Sequence, residues 1–321
     1  MSDIRTSAGT TSTATDRATA NGAAANGDPG NDQGTPSARA LRLPLTRGRV
    51  ALVPLYVPLC IAAFFFVLPF LWMLSGAFKD ASEIAAYPPR LLPDNLDGRN
   101  FSASAAGVSL WRYFGNSLFV AVVSTIGTLV CSSMAAFAFA HLRSRARRPL
   151  FATLLATMML PPFITLIPSY AIYQELGWLD SYLPLTVPSF LGVGCAFYIF
   201  LLRQFFLGIP KELFEAARID GAGRLRQFVA IALPLSRPAL ITVGLFQFVA
   251  SWNDFFGPLI FLTDASKFTL PVAVNFFQSL YAADYGRLLA VSCVTVAPVI
   301  LLFLIAQKFF VQGIATTGGK T

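Results

Sequence analysis

Five stretches of this chain run for twenty residues or more without an Asp, Glu, Lys or Arg: 50–78, 113–140, 149–174, 181–202 and 288–307. A bilayer core is ~30 Å thick and takes roughly 20 apolar helical residues to cross. Each run is long enough to span. A sixth, 238–253, holds sixteen residues before Asp254 and continues through the apolar 255–263, with a bend expected at "NDFFGP". Composition agrees, since 55% of the 321 residues are hydrophobic and 12% are charged, where a soluble chain carries roughly a quarter. The expected fold is an all-α membrane protein of six transmembrane helices, filling 50–310.

Basic residues set the expected orientation. Eighteen of the 24 Lys and Arg fall in 1–49, 141–149, 203–237 and the C-terminal tail; six fall in the intervening segments. Positive-inside then places both termini and the 203–237 segment in the cytoplasm. Residues 1–49 are rich in Ala, Thr, Gly, Ser and Asn and read as a disordered cytoplasmic tail. The run after this tail is too long for a signal-peptide core and reads as an uncleaved first helix. A second cytoplasmic tail is expected over 311–321.

The spans are also informative by what they lack. Ion-driven transporters usually place Asp, Glu, His or Arg within the membrane, and none stands near the centre of a span here. His141 closes the second span beside Arg143 and reads as an interfacial anchor. Cys60, Cys131, Cys195 and Cys293 lie in apolar runs without ligand-like spacing and read as small buried hydrophobes; no metal site is expected. The ending "GIATTGGKT" resembles a phosphate loop, but five residues separate Gly313 from Gly319 where the motif needs four. No HExxH or GxSxG motif occurs. No catalytic residue, bound cofactor or nucleic-acid partner is expected, and energy for uphill transport must come from outside the chain.

One cytoplasmic stretch stands apart. "KELFEAARIDGAGRLRQFVAIALP", 211–234, carries seven charged side chains between greasy neighbours. Pro210 and the early acids favour a helix start, and Gly221 and Gly223 favour its end. Glu215 and Arg218 are spaced to pair on the exposed side. A second helical segment should follow until Pro234 breaks it. On charge and periodicity alone, this stretch is either a functional element or a plain connector between spans.

The spacing adds a resemblance. Glu215-Ala216-Ala217, three residues, Gly221, nine residues and then Ile231 to Pro234 resemble the loop of permease subunits of ATP-binding-cassette importers. "YFGNSLFVAVVSTIGTLVCSSMAAFAFA", "SWNDFFGPLIFL" and "QKFFVQGIATTGGK" are similar to that family's carbohydrate-uptake branch. The resemblance covers roughly 50–320. It implies the type I importer architecture in a bacterial inner membrane, with a coupling loop at about 205–235 that docks a separate ATPase through Glu215, Ala216, Ala217, Asp220, Gly221 and Pro234. It also implies a second, different permease subunit, two ATPase subunits that use ATP and Mg, an extracytoplasmic solute-binding protein and a sugar or small oligosaccharide cargo. Gln247, Trp252, Asn253 and Asn275 are candidates for the substrate path, although an aromatic or amide near a span end is more often packing or an interfacial anchor. A permease for a non-sugar solute and a secondary transporter stay open as alternatives.

Overall fold

The computed structural model describes residues 53–317, apart from 103, 106–107, 143 and 281–284. The tail at 1–49 lies outside the described residues. The chain divides into two units, Met1–Tyr56 and Val57–Thr321, and the helix packing lies within the second.

Most of the described chain is helical, and its strands form one short hairpin. In lipid the backbone has no water to bond, and a helix satisfies its amides internally. Helix α1 covers Val53–Gly76. The segment after it holds α2 (Ala81–Ile84), a 3-10 turn over Gly98–Ser102 and a hairpin of β1 (Ser104–Ala105) and β2 (Val108–Ser109). Then come α3 (Leu110–His141), α4 (Arg147–Thr157), α5 (Pro162–Glu175), α6 (Leu183–Phe190) and α7 (Ala196–Leu207). The charged stretch forms α8 (Lys211–Ile219), α9 (Arg224–Gln227), a π-helical turn over Phe228–Ala232 and α10 (Leu233–Leu235). Last are α11 (Arg237–Trp252), α12 (Phe256–Phe261), α13 (Leu270–Leu280) and α14 (Tyr285–Thr317).

Three of these helices are long and apolar enough to cross a membrane, and a fourth span arises if Arg224–Leu235 and Arg237–Trp252, bent by 80°, count as one. Two runs read as single spans are instead broken. The 149–174 run divides between α4 and α5 at Met158–Pro161, where adjacent Pro161 and Pro162 cannot continue a helix. The 181–202 run divides between α6 and α7 at Gly192 and Gly194, whose φ of +80° and +75° lie in the left-handed region. The C-terminal segment read as a tail is helical as far as Thr317.

Helix α3 is the axis of the packing, meeting α6, α7 and α11. Small residues make up most of its buried face, among them Ser117, Ser124, Gly127, Thr128, Ser132 and Ala136. Small residues let backbones approach closely where lipid tails are as apolar as any side chain. A Cβ on Gly127 would stand 2.6 Å from the Phe190 ring of α6. Ser124 of α3 donates to Ser251 of α11 at 3.0 Å.

Two apolar clusters form along this axis. One gathers Leu110, Tyr113, Phe248, Trp252, Leu270, Phe277 and Val291 from α3, α11, α13 and α14. The other gathers Phe137, Cys195, Leu202, Phe206, Phe214, Phe228 and Val243, so it runs from α3 and α7 into α8 and the π-helical turn. Many large apolar side chains remain exposed, and the whole α1 window is unburied within the chain. The cysteine expectation holds for Cys195, which is buried, and not for Cys60, which is exposed, or for Cys131 and Cys293, which are intermediate. An apolar run that faces lipid does not bury its small residues against protein.

Candidate functional site

The site is the helical stretch from Pro210 to Leu235. Pro210 caps α8 one residue before the first turn, with Glu212 inside that turn and Arg218 in the last. Both charges complement the helix dipole. Expected pairing between Glu215 and Arg218 is absent: the described ion pairs lie elsewhere, and each of these two side chains is solvent-exposed. An exposed pair of this kind holds two long side chains in place for little gain.

Helix α8 ends in a Schellman motif. The Ala222 amide donates to the Ala217 carbonyl at 2.8 Å, and the Gly221 amide donates to the Arg218 carbonyl at 3.0 Å. Gly221 sits between them at φ +78°, the left-handed conformation that glycine adopts without a Cβ penalty. Just beyond, Gln227 is buried and its Nε2 donates to the Ala222 carbonyl at 2.8 Å. Arg224 donates to Gln227 Oε1 at 3.3 Å. The turn is thus held from both sides.

One face of α8 is seated. Phe214 is buried, its ring centroid 4.2 Å from the His141 ring of α3 and 6.1 Å from Phe137. Phe137 also meets Phe228 of the π-helical turn at 5.2 Å and Phe206 of α7 at 6.1 Å. His141 donates from Nε2 to the Phe206 carbonyl at 3.1 Å, which fixes that nitrogen as the protonated one. His141 is therefore a structural joint between three helices. The opposite face is open, with Glu215, Ala216 and Asp220 exposed, Ala217 half-buried and Ile219 87% exposed. Leu225 of α9 is 70% exposed as well; the motif spacing singled out neither it nor Ile219.

The exit differs from expectation. Pro234 does not break the helix; it lies inside the last turn, and the 80° bend comes at Ser236, with Pro238 opening α11. The π-helical turn over Phe228–Ala232 precedes the proline and widens the helix where its ring would meet a carbonyl.

The four substrate-path candidates differ in their surroundings. Trp252 is fully buried, its indole donating to the Thr295 carbonyl of α14 at 2.9 Å, with Phe248 stacked at 5.8 Å and Phe114 edge-on at 5.6 Å. That is a packing role. Gln247 is half-buried on α11; Asn253 is exposed and donates to the Val249 carbonyl at 2.9 Å; Asn275 is exposed on α13.

At the opposite end of the helices, a polar clamp ties the α5–α6 turn to the segment after α12. Asp180, at φ +56°, accepts from the amides of Thr263 at 3.0 Å and Asp264 at 2.9 Å and pairs with Lys267 at 2.6 Å. Its own amide donates to the Phe261 carbonyl at 2.8 Å. The Lys267 side chain and then these amides hold the Asp180 carboxyl well below the usual carboxylate range. Nothing local in the sequence marked it.

Residues 127–316 match the family described as "Binding-protein-dependent transport system inner membrane component". The chain belongs to this family. It is 36% identical over 253 residues to the probable ABC transporter permease protein YurM of Bacillus subtilis, covering 78% of this chain and 83% of that one. It is 32% identical to the arabinooligosaccharides transport system permease protein AraQ of Halalkalibacterium halodurans, over 80% of this chain and 92% of that one. The diacetylchitobiose uptake system permease protein NgcG of Streptomyces coelicolor is also 32% identical, over 75% and 80%. Among solved structures, a bacterial ABC transporter involved in the import of the acidic polysaccharide alginate superposes with a TM-score of 0.67 at 26% identity, covering 82% of this chain and 97% of that one. The fold is that of an ABC-importer permease.

Proposed function

We propose that this chain forms part of the translocation path of an ATP-driven importer for a sugar or small oligosaccharide, and that α8 is where a separate ATPase drives it. The single observation that carries the coupling role is the two-faced α8: Phe214 rooted in the α3–α7 ring cluster, Glu215, Ala216 and Ile219 turned outward. A push on the outer face is delivered to α3 and α7 through Phe214 because packed rings do not compress. Gly221 keeps the turn tight, and Asp220 and Ala217 edge the contact. Carbohydrate cargo is supported by the relatives' names, arabinooligosaccharides and diacetylchitobiose among them.

The assembly comprises a second, different permease subunit, two ATPase subunits and an extracytoplasmic solute-binding protein, set in a bacterial inner membrane with both termini cytoplasmic. ATP and Mg²⁺ belong to the ATPase; this chain binds no cofactor and catalyses no reaction. Gln247, Asn253 and Asn275 offer amides to the sugar path, while Trp252 supports the wall behind it.

The test is reconstitution of the complex purified from its native membrane into proteoliposomes. Labelled oligosaccharide should accumulate only with ATP on the ATPase side and the binding protein on the other. Accumulation driven by an ion gradient, with the ATPase removed, would make the chain a secondary transporter.

A further inference from the structure

Helices α4 and α7 meet at the end where α4 begins, leaving an open cavity of about 370 Å³ lined by Arg147, Arg148, Phe151, Ala152, Leu155 and Arg203. Three arginines line it. The Arg203 guanidinium lies 4.2 Å from the Phe151 ring centroid, and its Nε donates to the Phe139 carbonyl at 3.3 Å. Arg147 reaches the Leu142 carbonyl, at 3.5 Å. Among the described residues no carboxylate pairs with any of the three arginines, although each guanidinium carries five donors in a planar fork. The positive end of the α4 dipole adds to the same mouth.

Below the arginines the wall turns apolar. Phe151 stacks on Phe200 of α7 at 6.5 Å, and Ala152 is exposed beside half-buried Leu155. A small free anion would use the charged mouth and leave this wall bare. A phospholipid with a net negative headgroup uses both, its phosphate taken by the guanidinium forks and its chain laid along the wall.

We propose that this cleft binds the phosphate of an anionic phospholipid, whose acyl chain runs along Phe151, Ala152 and Leu155. Basic pockets between membrane helices are suited to such headgroups. The leaflet concerned is the cytoplasmic one, which rests on the orientation proposed above; the binding itself needs neither ATPase nor sugar.

The purified complex, in zwitterionic detergent, is titrated with phosphatidylglycerol, phosphatidylcholine or inorganic phosphate, reading bound lipid by native mass spectrometry and the thermal midpoint. Phosphatidylglycerol should remain bound and raise the midpoint; the other two should do neither. Arg147→Gln/Arg148→Gln leaves Arg203 on its ring and carbonyl, and should weaken phosphatidylglycerol by roughly thirtyfold. Arg145→Gln, outside the cavity, should bind as the unaltered complex does. The proposal fails if the double variant binds phosphatidylglycerol normally, or if inorganic phosphate gives the same shift, which would mean a simple anion site. It also fails if phosphatidylglycerol binds only to the chain stripped of its ATPase, which would give the arginines to ATPase carboxylates. Uptake enters none of these readings, so failure here leaves the transport reading standing.

Discussion

At Gly221 a Cβ would meet nothing within 4 Å, yet φ is +78°. Substitution there is a conformational matter, costing roughly 1–2 kcal/mol for an ordinary L-residue and more for a β-branched one. Gly221→Val should therefore reach the membrane at normal levels, lose most ATP-driven uptake and release the ATPase or leave it hydrolysing unproductively. Gly221→Asn should be milder, since Asn tolerates this region. Glu215→Lys reverses charge on the open face and should impair ATPase co-purification with the same spared membrane level. If Gly221→Val and Glu215→Lys both keep full uptake, the stretch is a connector and α8 has no coupling role. Phe214 behaves differently, because truncating a buried Phe to Ala costs about 3–5 kcal/mol. Phe214→Ala should retain the open face but unseat it, lowering transport per ATP hydrolysed and the thermal midpoint together; Phe214→Leu should restore part of both.

Between elements, the packing is set by contacts that no local pattern announces. Asp180 and Lys267 are 87 positions apart, yet they clamp two turns. Because the Asp180 carboxyl is held below its ordinary value, its stabilisation is fully present above the unfolded pKa of about 3.9. It is lost as pH falls through the lower folded value. The gap in thermal midpoint between the native protein and Asp180→Asn should accordingly stay constant from neutral pH to about 4 and narrow below that. A gap that closes instead between pH 5 and 7 would contradict the clamp. Gly286 marks the other close junction: a Cβ there would stand 2.7 Å from the Lys79 carbonyl and 2.8 Å from Asn100 Nδ2. Asn100 is itself held on the Ala77 and Lys79 carbonyls at 2.9 and 3.0 Å. Backbone cannot swing aside as a side chain can, so Gly286→Ala should cost about 1–3 kcal/mol. Detergent-solubilised thermal stability would measure it, and an unchanged midpoint would show that α14 can slide away from the segment after α1.

Over the whole molecule, the orientation argument is tested by single-cysteine labelling in sealed cells. Reagent outside should reach the 79–112 segment and miss 203–237; labelling of 203–237 would invert the topology and remove α8 from the ATPase's side. Membrane class, the family and the extent of α8 were legible in the sequence, since each rests on residues close together in the chain. Apolar run length measures a bilayer, Pro210 and Gly221 bound one short helix, and the loop spacing is a local signature. Which apolar residues face protein was not legible. Lipid is as apolar as a core, so hydrophobicity inside a span does not say which side packs. Only the tertiary structure buried Trp252 while leaving Asn253 exposed, moved the bend from Pro234 to Ser236 after a π-helical turn, and divided two long runs into shorter helices. It also joined Phe214, Phe137, His141, Phe206 and Phe228 into one seat under α8. Such contacts depend on how helices from distant parts of the chain are placed, and that placement is settled by close fit between surfaces that no single stretch of sequence contains.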